Sequence, residues 1–193
     1  MSVFVMMVIP AQVEVGPVGP EFYGMGSMTL FDATGNEVFA QSIHNTVVDS
    51  GEQFIIDQVF QDGTGPVAED VSIATICVTK EAGFADGDDG ETASTFDLAD
   101  LLTSTNCKED IAVTDGLDGT ATIGALTFDT TNLDAAGDTI TGIGICQART
   151  ATDADFNECG TAGILFAAFN VANTQLNAGE SVQISYTFNI SAT

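Results

Sequence analysis

Short apolar segments of strand length, separated by turns rich in Gly, Asn and Asp, restrict the fold of this chain more than any other feature. The clearest is 181–190, where Val182, Ile184, Tyr186, Phe188 and Ile190 alternate with other residues. Such alternation is typical of a strand with one buried face. A parallel α/β fold would need far more helix than this pattern indicates. The chain is therefore predicted to be all-β.

Similar segments recur along the chain, and strands are predicted over residues 27–31, 37–48, 71–79, 120–128, 139–147, 163–171 and 181–190. The turn at 32–36 makes the first two a hairpin, and the apolar segment 163–171 is expected to be a central, buried strand. Apolar residues at helical spacing predict one helix over 51–61 and a second over 95–102. We expect an antiparallel β-sandwich, jelly-roll or Ig-like, with one or two short helices and an N-terminal extended strand.

The charge balance is strongly acidic, with 28 Asp and Glu against 3 Lys and Arg, a formal net charge of -25. The basic residues are Lys80, Lys108 and Arg149. Most carboxylates therefore have no cationic partner and must face water or a metal ion. Nucleic-acid binding needs clustered cations, and anionic lipid surfaces would repel this chain. Neither is an expected partner.

The four cysteines are Cys77, Cys107, Cys146 and Cys159. An even number without a close Cys-x-x-Cys pair favours disulfides in an oxidising compartment over zinc. Three pairings are open, and the neighbouring pairs 77–107 and 146–159 are preferred because each would tie a loop to the strand that precedes it. The segments 76–80 and 145–149 also resemble each other, each having Ile-Cys followed three residues later by Lys or Arg. These cysteines indicate a secreted, extracellular or cell-surface protein.

An apolar run opens the sequence and is too short to cross a bilayer, which needs about 20 residues. As a strand it would be apolar on both faces, one with Val3, Val5, Met7 and Ile9 and the other with Phe4, Met6 and Val8. The alternatives are burial in its own sheet, donation to a neighbouring subunit and the remnant of a signal peptide. Gly-Pro steps at 16–20 would make an extended connector. We therefore divide the chain into an arm with its connector, 1–20, and one sandwich domain, 21–193.

Catalytic motifs are missing from the sequence. His44 is the single histidine, and there is no Gly-x-Ser-x-Gly, His-Glu-x-x-His or P-loop pattern. A glycosidase would present aromatic sugar platforms, whereas this chain has no Trp and 2 Tyr. The chain is predicted not to be an enzyme, and His44 is interpreted as an outward-facing polar residue.

Calcium is the one ligand that the acidic loops could bind, and no other cofactor is expected. Asp86, Asp88, Asp89 and Glu91 concentrate oxygen ligands in a Gly-containing segment, and 115–119 is a second candidate. Neither has the full EF-hand pattern, so a solvated acidic turn is the favoured interpretation. Asn189 begins the single sequon for N-glycosylation, Asn-Ile-Ser.

Several short motifs resemble known structural proteins. The segment 44–51, His-Asn-Thr-Val-Val-Asp-Ser-Gly, resembles the N-x-V-V-x-x-G opening of phage-like structural proteins. The segments 164–167, 176–180 and 186–190 resemble the closing strands of the same β-sandwich proteins, and similar chains occur among secreted proteins of marine archaea. The apolar arm resembles the donor strands of archaeal extracellular filaments and pili. These resemblances imply a structural role and supply no catalytic residues.

The resulting functional hypothesis is a subunit that assembles with itself into an extracellular, pilus-like filament by donating its N-terminal strand. The motif resemblance supports a virion component, of a tail or head surface, as an alternative. The acidic loops support another, a secreted calcium-binding module.

Overall fold

Two antiparallel sheets account for nearly all of the chain that the structure describes. The structure is a computed structural model and describes residues 21–47, 51, 55, 72–80, 106–110, 112–115, 119–133, 137–147 and 164–191. Its strands are β1 Glu21–Phe31, β2 Glu37–Thr46, β3 Ile73–Thr79, β4 Cys107–Glu109, β5 Thr114–Asp115, β6 Thr120–Asp129, β7 Thr139–Gln147, β8 Leu165–Gln175 and β9 Ser181–Ser191. A short 3-10 helix, Thr130–Asn132, follows β6.

The strands form a sandwich with sheet orders β2-β1-β9-β6-β5 and β4-β3-β7-β8. We call the first the large sheet and the second the small sheet. Connections pass from one sheet to the other after β2, β4, β6 and β8. The predicted antiparallel β-sandwich is confirmed.

The core lies between the sheets and is filled from alternate positions on facing strands. Val182, Ile184 and Tyr186 of β9 are almost completely buried, as the alternation predicts. They meet side chains of the small sheet in one continuous cluster, which includes Ile76, Val78, Ile143, Ile145 and Phe169. Burial of such side chains, worth about 1.5–3 kcal/mol each, supplies most of the stabilisation.

The small sheet differs from the large one because its middle strands are buried on both faces. In β3 every residue from Ala74 to Thr79 is buried, and in β7 every residue from Gly142 to Cys146 is buried. Strands in this position have near-continuous runs of small or apolar residues. The two similar segments noted in the sequence are neighbours here, since Ile76 lies opposite Ile145.

The strand predicted as central, 163–171, is corrected by the sheet order, because β8 is the last described strand of the small sheet. Residues Leu165 to Phe169 and Val171 are nonetheless buried, and burial produces an apolar run whether a strand is central or at an edge. A register shift opposite Ile145 and Cys146 lets both Phe166 and Ala167 join the core.

Other predictions differ in their bounds or lie outside the described residues. The strand β1 begins at Glu21, earlier than predicted, and the short strands β4 and β5 were not predicted. Of the helix predicted over 51–61, only Gly51 and Ile55 are described, and both are helical. The helix predicted over 95–102 lies outside the described residues.

Gly26 allows an aromatic pair to fill the centre of the core. The Phe169 and Tyr186 rings stack at 6.1 Å between centroids, and Gly26 lies opposite Tyr186 in the sheet. A Cβ atom on Gly26 would lie 2.2 Å from Cζ of Phe169. A glycine in a strand often marks such a close approach.

The hairpin between β1 and β2 is organised by the Asp32 carboxylate. Its Oδ1 atom accepts hydrogen bonds from the Thr34 hydroxyl at 2.7 Å and from the backbone N–H groups of Thr34 and Asn36. Gly35 adopts φ 84° to close the turn. The Thr34 hydroxyl, followed by the Asn36 N–H, lowers the pKa of Asp32 from 3.8 to about 2.

Substitution Gly26→Ala should lower the free energy of unfolding by about 1–3 kcal/mol, because the new methyl group must displace the buried Phe169 ring. Urea denaturation measures this loss. The double variant Gly26→Ala/Phe169→Leu should lose less than the sum of the single variants, because the smaller side chain makes room. Strictly additive losses would contradict the steric explanation.

The Asp32 carboxylate should make stability depend on pH in the acid range. Because its pKa is lowered in the folded protein, its contribution is complete above the pKa of the unfolded chain, about 3.9. This contribution is lost as the pH falls toward about 2. The melting temperature of Asp32→Ala should therefore fall less than that of wild type over this range, and Thr34→Ala should show an intermediate loss. An NMR titration of Asp32 with a midpoint near 3.8 would contradict this account.

Candidate interaction surfaces

Most residues of the predicted sites lie outside the described residues. These are the arm, 3–9, and the calcium candidates Asp86, Asp88, Asp89 and Glu91. Within the described ranges, no group of three or more His, Cys, Asp or Glu side chains could hold a metal ion. The arm and calcium sites stay predictions.

The disulfide between Cys77 and Cys107 is confirmed. The two residues lie directly opposite each other on β3 and β4, with their Cα atoms 4.0 Å apart, and Cys77 is completely buried. Cys146 is also disulfide-bonded, while Cys159, its predicted partner, lies outside the described residues. The first disulfide joins the edge strand β4 to the centre of the small sheet.

Acidic residues are excluded from the interior positions of the described strands. Those at the first or last position of a strand are Glu21, Glu37, Glu109, Asp115 and Asp129, and those in connections are Asp32, Asp110, Asp138 and Glu180. Lys108 is the single Asp, Glu, Lys or Arg at an interior position of these strands. Charge is therefore segregated from the sheets, as expected where a carboxylate lacks a partner and needs water.

One sheet surface remains open to solvent and carries no charge. The outward positions of β1, β2, β6 and β9, away from the strand ends, are mostly hydroxyl or amide residues, and none is Asp, Glu, Lys or Arg. Its central residues include Ser27, Ser42, Thr122, Gln183, Ser185 and Thr187. We call this outer surface of the large sheet the neutral face.

Hydroxyl groups on the neutral face bond to one another across the strands. Ser27 and Ser185 lie opposite each other with their Oγ atoms 2.6 Å apart. Thr122 and Thr187 lie opposite each other with their Oγ1 atoms 3.0 Å apart. These cross-strand pairs stabilise the sheet and satisfy part of the hydrogen-bonding capacity of its surface.

His44 and Asn189 also occupy the neutral face, near one end of it. His44 is exposed, as predicted for an outward-facing polar residue, and its ring lies 6.2 Å from that of Tyr23. Asn189 is half-buried in the middle strand, opposite Tyr23 on β1 and Thr120 on β6. The sequon asparagine is therefore within a sheet and not in a loop.

The β6 edge of the large sheet is closed by side chains of the small sheet. Alternate residues Lys108 and Asp110 reach from the β4 segment to β6. Lys108 Nζ donates to the Thr127 carbonyl and lies 5.2 Å from the centre of the Phe128 ring. The Asp110 carboxylate accepts the N–H of Gly124, which lies at a register shift of β6. These backbone groups of β6 are thus satisfied by a cation and a carboxylate.

The Lys108 ammonium also acts on the carboxylate at the end of β6. The pKa of Asp129 is lowered first by the Thr131 hydroxyl and then by the Thr131 N–H, with a smaller contribution from the charge of Lys108. The Thr131 hydroxyl, the Thr131 N–H and the Lys108 ammonium thus stabilise the Asp129 carboxylate where β6 ends and the 3-10 helix begins. Asp129 and Asn132 form a capping box there.

The opposite edge of the large sheet, β2, is open along its first residues. Residues 37–40 are all exposed, including Val38 at 55% and Phe39 at 39%. Phe39 lies opposite Leu30, which packs against the core, so Phe39 is on the core side of an edge that is incompletely covered. Further along, Gln41 Oε1 accepts the N–H of Ala172 in β8 at 2.9 Å and links the two sheets.

The chain matches no protein-family model, no curated protein and no solved structure. No helix in the described part of the chain is long and apolar enough to span a membrane. Function must therefore be argued from the surfaces themselves. Lys108 and Asp110 were not identified as important from the sequence, although the scarcity of basic residues was a signal for Lys108.

Replacing Lys108 should weaken the junction between the sheets. We expect Lys108→Met to lower the free energy of unfolding by about 1–3 kcal/mol, because the Thr127 carbonyl loses its donor and the Phe128 ring loses its cation. Urea denaturation at high salt, which screens general repulsion, gives the measurement. The control Glu109→Gln, at an exposed neighbour, should change it by less than about 0.5 kcal/mol. Equal losses in the two variants would refute this role.

Proposed function

We propose that this protein is a non-enzymatic structural subunit that assembles with itself into an extracellular filament. In this proposal residues 3–9 of one subunit pair, as an added strand, with the β2 edge of the next. The observation that carries the proposal is the β2 edge, the last described strand of the large sheet, where Val38 and Phe39 are exposed. A long edge of this kind is a template for strand addition unless it is blocked.

The difference between the two sides of the large sheet supports addition of the donated strand at β2. Lys108 and Asp110 bond to backbone groups of β6, on the side of the sheet that ends in β5, whereas β2 is the last described strand on the other side. A strand added at β2 would place alternate side chains toward the core beside Phe39, so apolar residues there would become buried.

The dimensions of the donor segment fit this acceptor. Seven residues of extended chain span about 23 Å, enough to cover the open residues 37–40, which span about 13 Å of the roughly 33 Å of β2. The eleven residues 10–20, which end in the Gly-Pro connector, can extend by up to about 36 Å, enough to reach an adjacent subunit. Burial of several arm side chains, worth about 1.5–3 kcal/mol each, gives a gross gain of about 10 kcal/mol before ordering entropy is subtracted.

Cysteine usage supports the extracellular location. The buried Cys77–Cys107 disulfide is of the kind that forms and persists in oxidising compartments. A polymer outside the cell also gains from the acidic connections, because they keep subunits soluble before assembly.

Two variants test strand donation from opposite sides. Deletion of residues 1–12 removes the donor, and Phe39→Lys places a charge at the acceptor edge. Each variant alone should remain folded by circular dichroism, should form no filaments in negative-stain micrographs and, at low NaCl, should sediment as a monomer. The matched control Val113→Lys, at another exposed apolar residue (37%), should still polymerise.

A mixture of the two defective proteins gives the sharper test. The Phe39→Lys protein keeps its arm and the deleted protein keeps its edge, so together they should form one junction and stop at a dimer. Filaments that persist without residues 1–12, or a mixture that stays monomeric while each variant is folded, would reject strand donation.

A further inference from the structure

The neutral face is the second surface that could bind a partner, and it is separate from the β2 edge. It lies on the side of the large sheet away from the core, and its residues Ser42, His44 and Gln183 are exposed. The corresponding side of the small sheet is not available, because Thr75, Cys77 and Thr79 there are buried.

The composition of the neutral face keeps the free-energy cost of its desolvation low. It carries no charge to desolvate, and its hydroxyl pairs Ser27–Ser185 and Thr122–Thr187 already bond to each other. Burying a polar group costs free energy mainly when its hydrogen bonds are lost. A flat surface whose polar groups bond internally keeps those bonds when it is covered.

Charge then restricts the partner. Nucleic acids and anionic lipids need cations, and the interior of the face has none. A cationic partner would bind where the carboxylates are, at the strand ends and in the connections. The occupant of this face must itself present an uncharged surface.

A neutral glycan fits less well than a protein surface. Sugar rings stack on aromatic side chains, and the outward positions of β1 have an aromatic ring only at Tyr23 and Phe31, about 27 Å apart along the strand. Between these two, Met25, Ser27 and Thr29 occupy the outward positions.

From these observations we infer that the neutral face is a self-association surface, on which a second copy of this chain packs its own large sheet. Two sheets stack about 10 Å apart, and a two-fold contact places the same uncharged patch on both sides. The four long strands measure about 19 Å by 33 Å, or about 600 Å² per copy. This is somewhat below the roughly 800 Å² per partner of a standard interface, so the contact is reversible.

The net charge of -25 determines how this contact responds to salt. Repulsion between copies opposes association, and added salt screens it. Dimerisation should therefore strengthen as NaCl increases, the opposite of a contact made by ion pairs. Strand donation is not needed for this contact, so it should persist in the full-length Phe39→Lys protein, whose altered residue lies on the core side of β2.

Sedimentation equilibrium of full-length Phe39→Lys protein, at low and high NaCl, tests the inference. Adding Gln183→Glu, nearly isosteric and exposed on the middle strand, should raise the dissociation constant of the dimer at least tenfold, because a two-fold contact brings both new charges together. The matched control Ala178→Glu adds the same charge in the exposed turn after β8 and should change it less than twofold.

Two outcomes would overturn the inference. One is equal weakening by Gln183→Glu and Ala178→Glu, which would indicate general repulsion and not a contact at this face. The other is a monomer at every salt concentration; saturable binding of a neutral β-glucan oligosaccharide to that monomer would then assign the face to a glycan. If strand donation fails, the comparison of the two Glu variants and the oligomeric state can still be interpreted, because neither measurement depends on the arm.

Discussion

The need of carboxylates for water is the constraint on which this structure depends. With 28 acidic and 3 basic residues, most charges cannot be paired, and an unpaired charge inside a sheet or core is prohibitively costly. The described strands accordingly carry their acidic residues at their ends, as Glu37 and Asp129 illustrate, or leave them to the connections. The sandwich is thus built from uncharged strands joined by charged loops.

Because charge is kept out of the strands, the few charged side chains that do contact them contribute strongly to the junction between the sheets. Lys108 is the one charged residue at an interior position of a described strand, and it joins the small sheet to β6 through the Thr127 carbonyl. The Asp110 carboxylate serves the same strand through Gly124. The same segregation leaves the neutral face without charge, and we propose that copies approach one another there and at the β2 edge despite their net repulsion.

The fold could be predicted from the sequence where local pattern and burial agree. Residues 139–147 and 181–190 were predicted within one residue of β7 and β9, because alternating or continuous apolar residues reflect one or two buried faces directly. The β4 and β5 strands were missed because they have three and two residues, too few to show a period. The prediction of 163–171 as a central strand was wrong, because β8 is the last described strand of the small sheet; an apolar run reports burial and does not report how many neighbouring strands are present.

The sequence by itself determined the fold class and favoured the Cys77–Cys107 pairing, because both depend on residue type and spacing along the chain. Only the tertiary structure decided which strands are edges, that Gly26 lies beneath the Phe169 ring, and that outward residues of four strands form one uncharged face. These properties depend on register between segments far apart in the chain, such as Ser27 and Ser185, and no local pattern encodes that register.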